Sequence, residues 1–394
     1  MSAKKLSDNP PAYDAFRAGL RTWIEIDSRA ARHNYAFFRK LAGPRVKLWS
    51  VVKSNAYGHG LLVFSRLMER FGVDGFCVDS LLEGIRMRKE GIQKPILVLG
   101  MTLPLLLSHA AERDVTVTIS NFDALRALVR EKNPPKFHLK IDTGMHRQGF
   151  YLRDLPRVVK FLSPSASGGK FSVLSPKLAG IYTHFASAKD LNYPTYTERQ
   201  FADFKKARQI FARAGFRNLV SHCAATGAAL LGKKYHLDAV RVGIGLYGLY
   251  PSKELEIQLP EIVLKPVLSW RTVAGEVKRL IEGDYVGYDL AERVRRPTLM
   301  AVLPVGYWHG FPRNLSSVGD VLVGGRRGKV LGRISMDLTT IDVTGVRCRR
   351  GDIVTLIGRA GKEEIKAFDA AQRSGTIHYE FLTRLNPLME RVVV

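Results

Sequence analysis

Between residues 46 and 242 the chain repeats a short apolar segment followed by an amphipathic stretch, and few folds accommodate that pattern. Short, continuously apolar segments are typical of strands in a parallel sheet, and the amphipathic stretches are typical of the crossover helices that connect them. Eight strands are predicted: Val46–Val52, Gly75–Val78, Pro95–Leu99, Val115–Ile119, Phe137–Ile141, Leu178–Thr183, Leu219–His222 and Ala239–Val242. This repeat predicts an α/β fold, a TIM-like (β/α)8 barrel whose active site lies at the carboxyl ends of the strands.

The alternation stops near Tyr250, and Pro251 marks a boundary. Beyond it, glycine-containing turns separate short predicted strands, which are Leu268–Arg279, Thr298–Pro304, Val321–Val323, Lys329–Val343 and Asp352–Ile357. The pair Gly324 and Gly325 predicts a tight hairpin turn. This part of the chain is therefore expected to be mainly β.

Two domains follow from this change of pattern, and a length of 394 residues accommodates both. The barrel domain is expected at 1–252 and the smaller, mainly β domain at 253–394. Residues 1–20 are polar and contain prolines, so we expect a flexible tail there. The Ser/Gly-rich stretch 163–175 predicts an insertion before the sixth barrel strand, and Ile365–Arg373 predicts a helix near the end of the chain.

The formal net charge of +25 raises nucleic-acid binding as a class of function. Basic residues are scattered along the whole chain, and the densest clusters, Arg293–Arg296 and Arg347–Arg350, are short. Aromatic residues do not interleave with them as a single-strand binding groove requires. We therefore expect a solvated basic surface and no nucleic-acid partner.

The sequence also argues against a membrane protein and against a secreted protein. No apolar stretch approaches the roughly 18 residues that span a bilayer, and the chain start lacks the apolar core of a signal peptide. The three cysteines, Cys77, Cys223 and Cys348, are odd in number and widely spaced, which fits neither a disulfide framework nor a metal centre. A cytoplasmic protein with buried cysteines and no metal is expected.

Lys53 ends the first predicted strand, within the run VVKSNAYGHG. The turn-forming residues that follow it through Gly60 predict a loop at the barrel mouth, which also carries Tyr57 and His59. A lysine in that position can form a Schiff base with an aldehyde cofactor, and burial would lower its pKa enough for it to act as a base. On residue types alone, a surface lysine after a core strand is the alternative.

Other polar residues accompany the ends of later predicted strands. They are Lys140 and Arg147 at the fifth strand, His184 at the sixth, His222 and Thr226 at the seventh, and Arg241 in the eighth. Because the strand ends of a barrel meet at one mouth, these residues are expected to form a single site.

The run at Lys53 resembles the cofactor-lysine signature of alanine racemases that use pyridoxal phosphate (PLP). Further segments resemble the same family in the same order: KIDTGMHRQG from Lys140, YTHFASA from Tyr182, RVGIGLYG from Arg241, GYWHGFPR from Gly306 and GRISMDLTTIDV from Gly332. The resemblance extends from about Thr22 to Arg391. It implies an isomerase that interconverts L- and D-alanine by a two-base mechanism and supplies D-alanine for peptidoglycan.

The resemblance also assigns the cofactor contacts. It implies that Lys53 carries PLP and that the phosphate is held by the hydroxyls of Tyr57 and Thr226 and the backbone N–H groups of Gly243 and Ile244. A small residue after a barrel strand allows the close approach that phosphate binding requires.

The remaining cofactor contacts are implied for Arg241 at the pyridine nitrogen, His222 supporting that arginine, His184 against the ring and Arg147 at the phenolic oxygen. A guanidinium is permanently charged and cannot accept a proton, so Arg241 leaves the ring nitrogen unprotonated. The resulting weaker electron sink favours prompt reprotonation at the same carbon, as a racemase requires.

Two bases must flank the reacting carbon for inversion, and the resemblance implies Lys53 on one face and Tyr288 on the other. For the substrate it implies Met336 and Asp337 in a carboxylate-binding loop, Tyr307 at the entrance, and a contribution from Arg147. In the family, Tyr288, Tyr307 and Met336 enter the site from the partner subunit. A homodimer is therefore implied.

Four positions carry special expectations. Lys140 matches a lysine that is carbamylated in many members, where it neutralises the arginine equivalent to Arg147. His146 and Asp289 each replace a usual glycine, and Asp289 places a charge beside Tyr288. Pro387 stands where some members have a tyrosine that touches the phosphate, so that contact is expected to be absent.

Three alternatives remain open from sequence. The departures at His146 and Asp289 leave room for a racemase of serine, lysine or a broader set of amino acids. A PLP-carrying barrel without turnover is a second possibility, although it would not need the β domain that brings Tyr288 and Met336. A basic nucleic-acid binder is the third, and salt-sensitive binding without cofactor would distinguish it.

Overall fold

The computed structural model describes residues 19–162 and 174–394. The predicted tail at 1–20 and the predicted insertion at 163–175 lie almost entirely outside the described residues. Two compact units are present. One contains the described residues through Arg29 together with Tyr57–Gly60 and Pro266–Val394, and the other contains those of Ala30–Ala56 and Leu61–Lys265.

The strands of the described residues follow in chain order. They are β1 (Thr22–Ile26), β2 (Lys47–Val51), β3 (Gly75–Val78), β4 (Ile96–Val98), β5 (Val117–Ile119), β6 (Phe137–Lys140), β7 (Leu178–Tyr182), β8 (Val220–His222), β9 (Ala239–Val242), β10 (Leu268–Val273), β11 (Glu276–Leu280), β12 (Tyr285–Val286), β13 (Glu292–Arg293), β14 (Thr298–Leu303), β15 (Asp320–Val323), β16 (Arg326–Leu331), β17 (Thr339–Asp342), β18 (Ile353–Ala360), β19 (Glu363–Ile365) and β20 (Glu390–Val393).

The right-handed α-helices of the described residues are α1 (Ser28–Ala42), α2 (Leu61–Phe71), α3 (Leu81–Lys89), α4 (Leu107–Glu112), α5 (Phe122–Arg130), α6 (Leu155–Leu162), α7 (Thr195–Arg213), α8 (Thr226–Leu231), α9 (Lys253–Gln258), α10 (Ala367–Arg373) and α11 (His378–Thr383), and short 3-10 helices lie between some of them. Among the described residues, no helix is both long and apolar enough to cross a membrane.

Strands β2 to β9 form the predicted barrel, and each overlaps one of the eight predicted strands. They pair in parallel as two sheets, in the orders β4-β3-β2-β9 and β5-β6-β7-β8. Parallel bridges from Leu97 to Thr116 and from Ala225 to Arg241 join the two sheets and close the ring. The strands are buried along almost their whole length, as expected when a barrel is covered by helices. The predicted fold class is confirmed.

The helix after β3 shows how local sequence orients the barrel mouth. Ser80 caps α3 because its hydroxyl accepts a hydrogen bond from the Glu83 amide, while the Glu83 carboxylate accepts one from the Ser80 amide. The other oxygen of the same carboxylate accepts a hydrogen bond from the amide of Ser54, at 2.7 Å. One glutamate therefore begins a helix and anchors the segment after Lys53.

The C-terminal unit is a largely antiparallel sheet in the order β11-β14-β17-β16-β15-β18-β10-β1-β20, with β19 paired to β18. Strand β1 lies in this sheet, although the sequence analysis assigned residues 1–252 to the barrel domain. Its backbone groups bond antiparallel to β10 and parallel to β20, so pairing distant in sequence decides its location.

Within this unit several predicted elements differ in their ends. The predicted strand Leu268–Arg279 is interrupted at Ala274 and Gly275, and Lys329–Val343 is interrupted by a loop that contains Met336. Glycine is required at the start of that loop, because Gly332 has φ +63° and an added Cβ would lie 2.4 Å from the Val286 carbonyl oxygen. Strand β19 ends at Ile365, so the predicted helix begins at Ala367. The two-residue turn at Gly324 and Gly325 is confirmed, with φ of 54° and 76°.

Candidate active site

Lys53 lies immediately after β2 and opens a left-handed turn. The four residues that follow, Ser54 to Tyr57, have φ between 52° and 55°. Left-handed backbone is unfavourable for residues with a Cβ, by roughly 1–2 kcal/mol each, so the surroundings must stabilise it. Besides the bond from Ser54 to Glu83, the Asn55 side-chain oxygen accepts a hydrogen bond from the Leu61 amide at 2.9 Å.

The Lys53 side chain is 37% exposed at the carboxyl end of the barrel, and its Nζ lies 3.7 Å from Asp79 Oδ1. Asp79 follows β3, the neighbouring strand in the sheet. The amine is therefore accessible and oriented by a carboxylate, which suits a group that bonds covalently to a ligand.

Lys140 ends β6 and is buried, and its Nζ donates a hydrogen bond to the side-chain oxygen of Gln148 at 3.1 Å. Burial, and then the charge of the nearby Arg147, lower the pKa of Lys140 to about 8. A small cleft is lined by Lys140, Arg147, Gln148, Thr183 and His184, together with Ile141, Asp142 and Met145. The structure thus brings Lys140 and Arg147 to one place, as the sequence predicted.

The loop that carries Arg147 is organised by Asp142, whose Oδ1 accepts hydrogen bonds from the amides of Gly144, Met145 and His146. His146 has φ +52°, a left-handed conformation that glycine adopts without a Cβ clash. The departure from glycine at this position therefore introduces backbone strain. The imidazole points toward Tyr151, with ring centroids 5.9 Å apart.

Arg241, in β9, is almost fully buried, and residues at the carboxyl ends of β7 and β8 accept its hydrogen bonds. It donates hydrogen bonds to the His222 Nδ1, to the Thr183 carbonyl at 2.8 Å and to the Cys223 carbonyl at 3.3 Å. The His184 Nδ1 lies 3.4 Å from its Nη2. Since none of these partners is a carboxylate, the guanidinium carries an uncompensated charge at the centre of the site.

His138 belongs to the same cluster, although the sequence analysis assigned it no role. Its Nδ1 lies 2.8 Å from the His222 Nε2. Alternation along β6 places His138 on the same face as Lys140, two residues later, and that periodicity could have identified it.

Thr226 forms the centre of the predicted phosphate site. Its hydroxyl oxygen accepts hydrogen bonds from the Gly243 amide at 3.1 Å and the Gly245 amide at 3.3 Å, and Ile244 between them is buried. An added Cβ at Gly245 would lie 2.4 Å from the Phe38 ring, so the close approach of this loop depends on glycine.

The electrostatics of the mouth fit an anionic ligand. Burial, followed by the charges of Arg241, Arg147, Lys140 and Lys53, lowers the pKa of His184 well below its ordinary value. Three carboxylates lie near them, Asp79 beside Lys53, Glu83 at the Ser54 amide and Asp142 beside Lys140. Four cations against three carboxylates leave an excess positive charge, which matches a phosphate-bearing cofactor such as PLP.

Tyr57 lies in the unit that contains the β domain. The Gly58 carbonyl oxygen accepts two hydrogen bonds from the Arg391 guanidinium, at 3.2 and 3.0 Å, which tie this segment to β20. The Tyr57 ring lies 6.0 Å from the ring of Tyr379, a residue that the sequence analysis did not consider. Burial and then the neighbouring phenol raise the pKa of Tyr379. Pro387 provides no tyrosine side chain, but Tyr379, eight positions earlier, lies beside Tyr57.

The predicted substrate residues of the C-terminal unit lie on adjoining loops. The Tyr307 amide donates to the Ser335 carbonyl at 3.1 Å, and the Trp308 amide donates to the Met336 carbonyl at 3.0 Å. Asp337, the next residue after Met336, is exposed. The side chains of Tyr288, Tyr307 and Met336 are exposed by 66%, 43% and 52%, so they point away from the core of their own unit.

Comparison with known proteins identifies relatives of the whole chain. The model of the alanine racemase N-terminal domain matches residues 26–251, and that of the C-terminal domain matches residues 267–393. The alanine racemase of Leptospira interrogans is 35% identical over 386 residues, which cover 95% of this chain and 96% of the relative. That of Listeria monocytogenes is 38% identical over 371 residues, covering 94% and 97%.

Solved structures agree with these matches. The crystal structure of alanine racemase from Bacillus anthracis with bound L-Ala-P superposes with a TM-score of 0.87 at 32% identity, covering 95% of each chain. The alanine racemase from D-cycloserine-producing Streptomyces lavendulae gives 0.85 at 32% identity, covering 95% of this chain and 97% of the other.

Proposed function

This chain belongs to the alanine racemase family and interconverts L- and D-alanine with PLP as its cofactor, and we propose the residues through which it does so. The observation that carries the assignment of the site is the position of Lys53. It stands at the carboxyl end of a barrel strand, in a mouth where cations outnumber carboxylates.

For the cofactor, we propose that Lys53 bonds to the PLP aldehyde. The other proposed contacts are Tyr57, Thr226, Gly243 and Ile244 at the phosphate, and Arg147, His184, His222 and Arg241 around the ring. When bound, PLP withdraws electrons from the amino acid and makes its Cα–H bond more acidic. The Arg241 guanidinium is permanently charged and cannot accept a proton, so it limits that withdrawal to what racemisation requires.

For proton transfer, the proposal places Lys53 on one face of the substrate Cα and Tyr288 on the other. One group removes the proton from its own face of the Cα, and the other group delivers a proton to the opposite face; the roles exchange in the reverse direction. The exposure of Tyr288 on its own unit supports a role in the site of a partner subunit. A homodimer, in which the C-terminal unit completes the partner's site, follows from this assignment.

For the substrate, we propose that the Met336 backbone N–H, Asp337 and Arg147 bind the carboxylate and that Tyr307 narrows the entrance. The hydrogen bonds between the Tyr307 and Met336 loops support their joint action. A narrow entrance favours a methyl side chain. Serine and lysine remain the alternative substrates, because Asp289 places a carboxylate next to Tyr288.

Two further parts of the proposal concern the modification of Lys140 and the cellular role. The lowered pKa of Lys140 favours the neutral amine, which is the form that reacts with carbon dioxide, and a carbamate there would offset the charge of Arg147. A cytoplasmic location is consistent with three cysteines that are free and buried. There the enzyme would supply D-alanine for peptidoglycan.

The test combines polarimetry on L-alanine with the visible absorbance of bound PLP. Lys53→Ala is expected to abolish turnover in both directions and the cofactor absorbance band. Lys136→Ala, at an exposed lysine before β6, serves as the matched control and should behave as wild type. Racemisation at the wild-type rate in Lys53→Ala would contradict the assignment.

Tyr288→Phe tests the second base. It should lower kcat by about 100-fold or more, most strongly for proton removal from L-alanine, because a positioned base contributes roughly 10²–10⁴-fold. Tyr285→Phe, at an exposed tyrosine of the same unit, is the control. Rates on L-serine and L-lysine in the wild type decide between the substrate alternatives.

A further inference from the structure

Inside the barrel, three buried side chains from β6, β8 and β9 form a hydrogen-bonded chain. The Arg241 guanidinium donates to the His222 Nδ1, and the His222 Nε2 lies 2.8 Å from the His138 Nδ1. All three side chains are buried. Arg241 reaches the active-site mouth. Of the proposed cofactor residues, His222 is the one within hydrogen-bonding distance of His138.

The positions of the protons along this chain follow from its charged end. A guanidinium can only donate, so the His222 Nδ1 must accept. The ring hydrogen of neutral His222 is therefore on Nε2, and it points at the His138 Nδ1, which must accept in turn. His138 consequently carries its own hydrogen on Nε2.

The electrostatic surroundings keep both imidazoles neutral. Burial, followed by the charges of Arg241 and Lys47, lowers the pKa of His138 to about 3. Burial and Arg241 lower the pKa of His222 well below its ordinary value. Each ring thus has one donor and one acceptor, and the chain has a single consistent arrangement of hydrogens.

Packing holds the rings in this geometry. His138 pairs with Gly180 in register, and an added Cβ at Gly180 would lie 2.4 Å from the Val220 carbonyl oxygen and 2.5 Å from the His138 ring. The His222 ring stacks on Tyr182 at 4.8 Å with an interplanar angle of 5°, and its other neighbour, Trp49, meets it edge-on at 4.9 Å. Neither ring can turn without displacing its neighbours.

We infer that His138 is a positioning residue for racemisation: as the last acceptor of the chain, it holds His222 in the Nε2–H tautomer and thereby fixes the orientation of Arg241. Without an acceptor at residue 138, the His222 Nε2–H would be buried and unsatisfied. The alternative tautomer would satisfy that side but would direct an N–H at the guanidinium. Either outcome displaces Arg241. The inference rests on the proposed role of Arg241 at the cofactor ring.

Three variants separate the acceptor from simple packing. His138→Asn keeps an oxygen acceptor close to the position of Nδ1, whereas His138→Leu fills the space without an acceptor. Gly180→Ala keeps the imidazole at residue 138 but crowds both its ring and the Val220 carbonyl of β8. Leu139→Ala is the matched control, because Leu139 is buried on the same strand with its side chain on the opposite face.

The first readout is independent of activity. Histidine ¹⁵N spectra of the full-length protein, with PLP bound and after its removal, should show His222 and His138 neutral and protonated at Nε2 between about pH 6 and 9. His138→Leu and Gly180→Ala should shift or broaden the His222 signals, while His138→Asn and Leu139→Ala should leave that tautomer unchanged.

The second readout is kinetic. His138→Leu and Gly180→Ala should lower kcat about 10- to 100-fold with KM changed less than about threefold, because misplacement of a reacting group costs rate more than binding. His138→Asn should retain kcat within about threefold. Leu139→Ala should retain kcat despite a lower melting temperature.

Two results would overturn the inference. One is a His138→Leu or Gly180→Ala protein with an unchanged His222 tautomer and wild-type kcat. The other is a folded His138→Asn protein that shows the rate loss expected of His138→Leu. If His138→Leu does not fold, the His222 tautomer in the wild type and in His138→Asn decides the question. If the wild type lacks racemase activity, the proposed function fails, whereas the ¹⁵N result still decides the role of His138.

Discussion

Lys140 shows how a single buried residue is controlled by its surroundings. Its amine is buried beside Arg147, and its hydrogen-bond partner is the neutral amide of Gln148. A charged lysine in such a place is poorly solvated, and only Asp142 opposes the loss, so its pKa falls from 10.5 to about 8. The unfolded chain retains the higher value.

This difference predicts a pH-dependent stability. Between about pH 8 and 10.5 the unfolded chain binds a proton at Lys140 that the folded protein has released, so the contribution of this residue to the free energy of unfolding increases with pH. Urea titrations of the cofactor-free protein in buffer without carbon dioxide should show a steeper rise for wild type than for Lys140→Met. Equal slopes would contradict the lowered pKa.

At the scale of elements, the loop after β12 and the loop between β16 and β17 lie together. Asp289 Oδ2 and Arg333 Nε form an ion pair at 3.1 Å. Asp289 directly follows Tyr288, and Arg333 lies three residues before Met336. Asp289 has φ +61°, so the backbone of the aspartate that replaces glycine here is strained. Its side chain gains the ion pair with Arg333. The pair links the loop of the proposed base to the loop of the proposed carboxylate site.

We therefore expect Asp289→Asn and Arg333→Gln each to lower kcat/KM about 3- to 10-fold, and the double variant to be no worse than either single one. Both side chains are largely exposed, so stability should change by no more than about 1 kcal/mol. Lys278→Gln breaks a comparable exposed pair with Glu276 and should leave kcat/KM unchanged. Additive losses in the double variant would refute the link.

At the scale of the whole molecule, several exposed apolar side chains of the C-terminal unit fit the proposed homodimer. Tyr288, Tyr307 and Met336 are accompanied by Trp308 and Leu338, which are also exposed. Apolar side chains grouped in this way commonly mark a surface that another chain covers. The proposed homodimer would cover it and would place Tyr288 of each subunit in the site of the other.

Subunit mixing tests that arrangement. Lys53→Ala and Tyr288→Phe subunits, unfolded together and refolded at equal concentrations, should recover about one quarter of wild-type activity. Half of the dimers would then be mixed, and each mixed dimer would contain one site with both bases. Mixing Tyr288→Phe with the Lys53→Ala/Tyr288→Phe double variant provides the control, because half of its sites retain Lys53 but none can contain both bases. Recovery equal to that control would show that each subunit uses its own Tyr288.

Periodic apolar patterns were enough to predict the eight barrel strands and the change to a β-rich unit, and the glycine pair Gly324 and Gly325 predicted the hairpin. Such features depend on neighbours a few positions away, which the sequence displays directly. The placement of Lys140, Arg147, His184, His222 and Arg241 near one another followed from the same reasoning, since strand ends of a barrel converge.

Other features depend on contacts between positions far apart in the chain. His138 meets His222 across 84 residues, and the Gly58 carbonyl accepts from Arg391 across 333 residues. The sheet membership of β1 and the pairing of Tyr57 with Tyr379 are of the same kind. Local patterns specify which face of a strand is buried, but they do not specify which strand or side chain will meet it. That choice is made only when the chain packs, because hydrogen bonds and volumes must then be satisfied together.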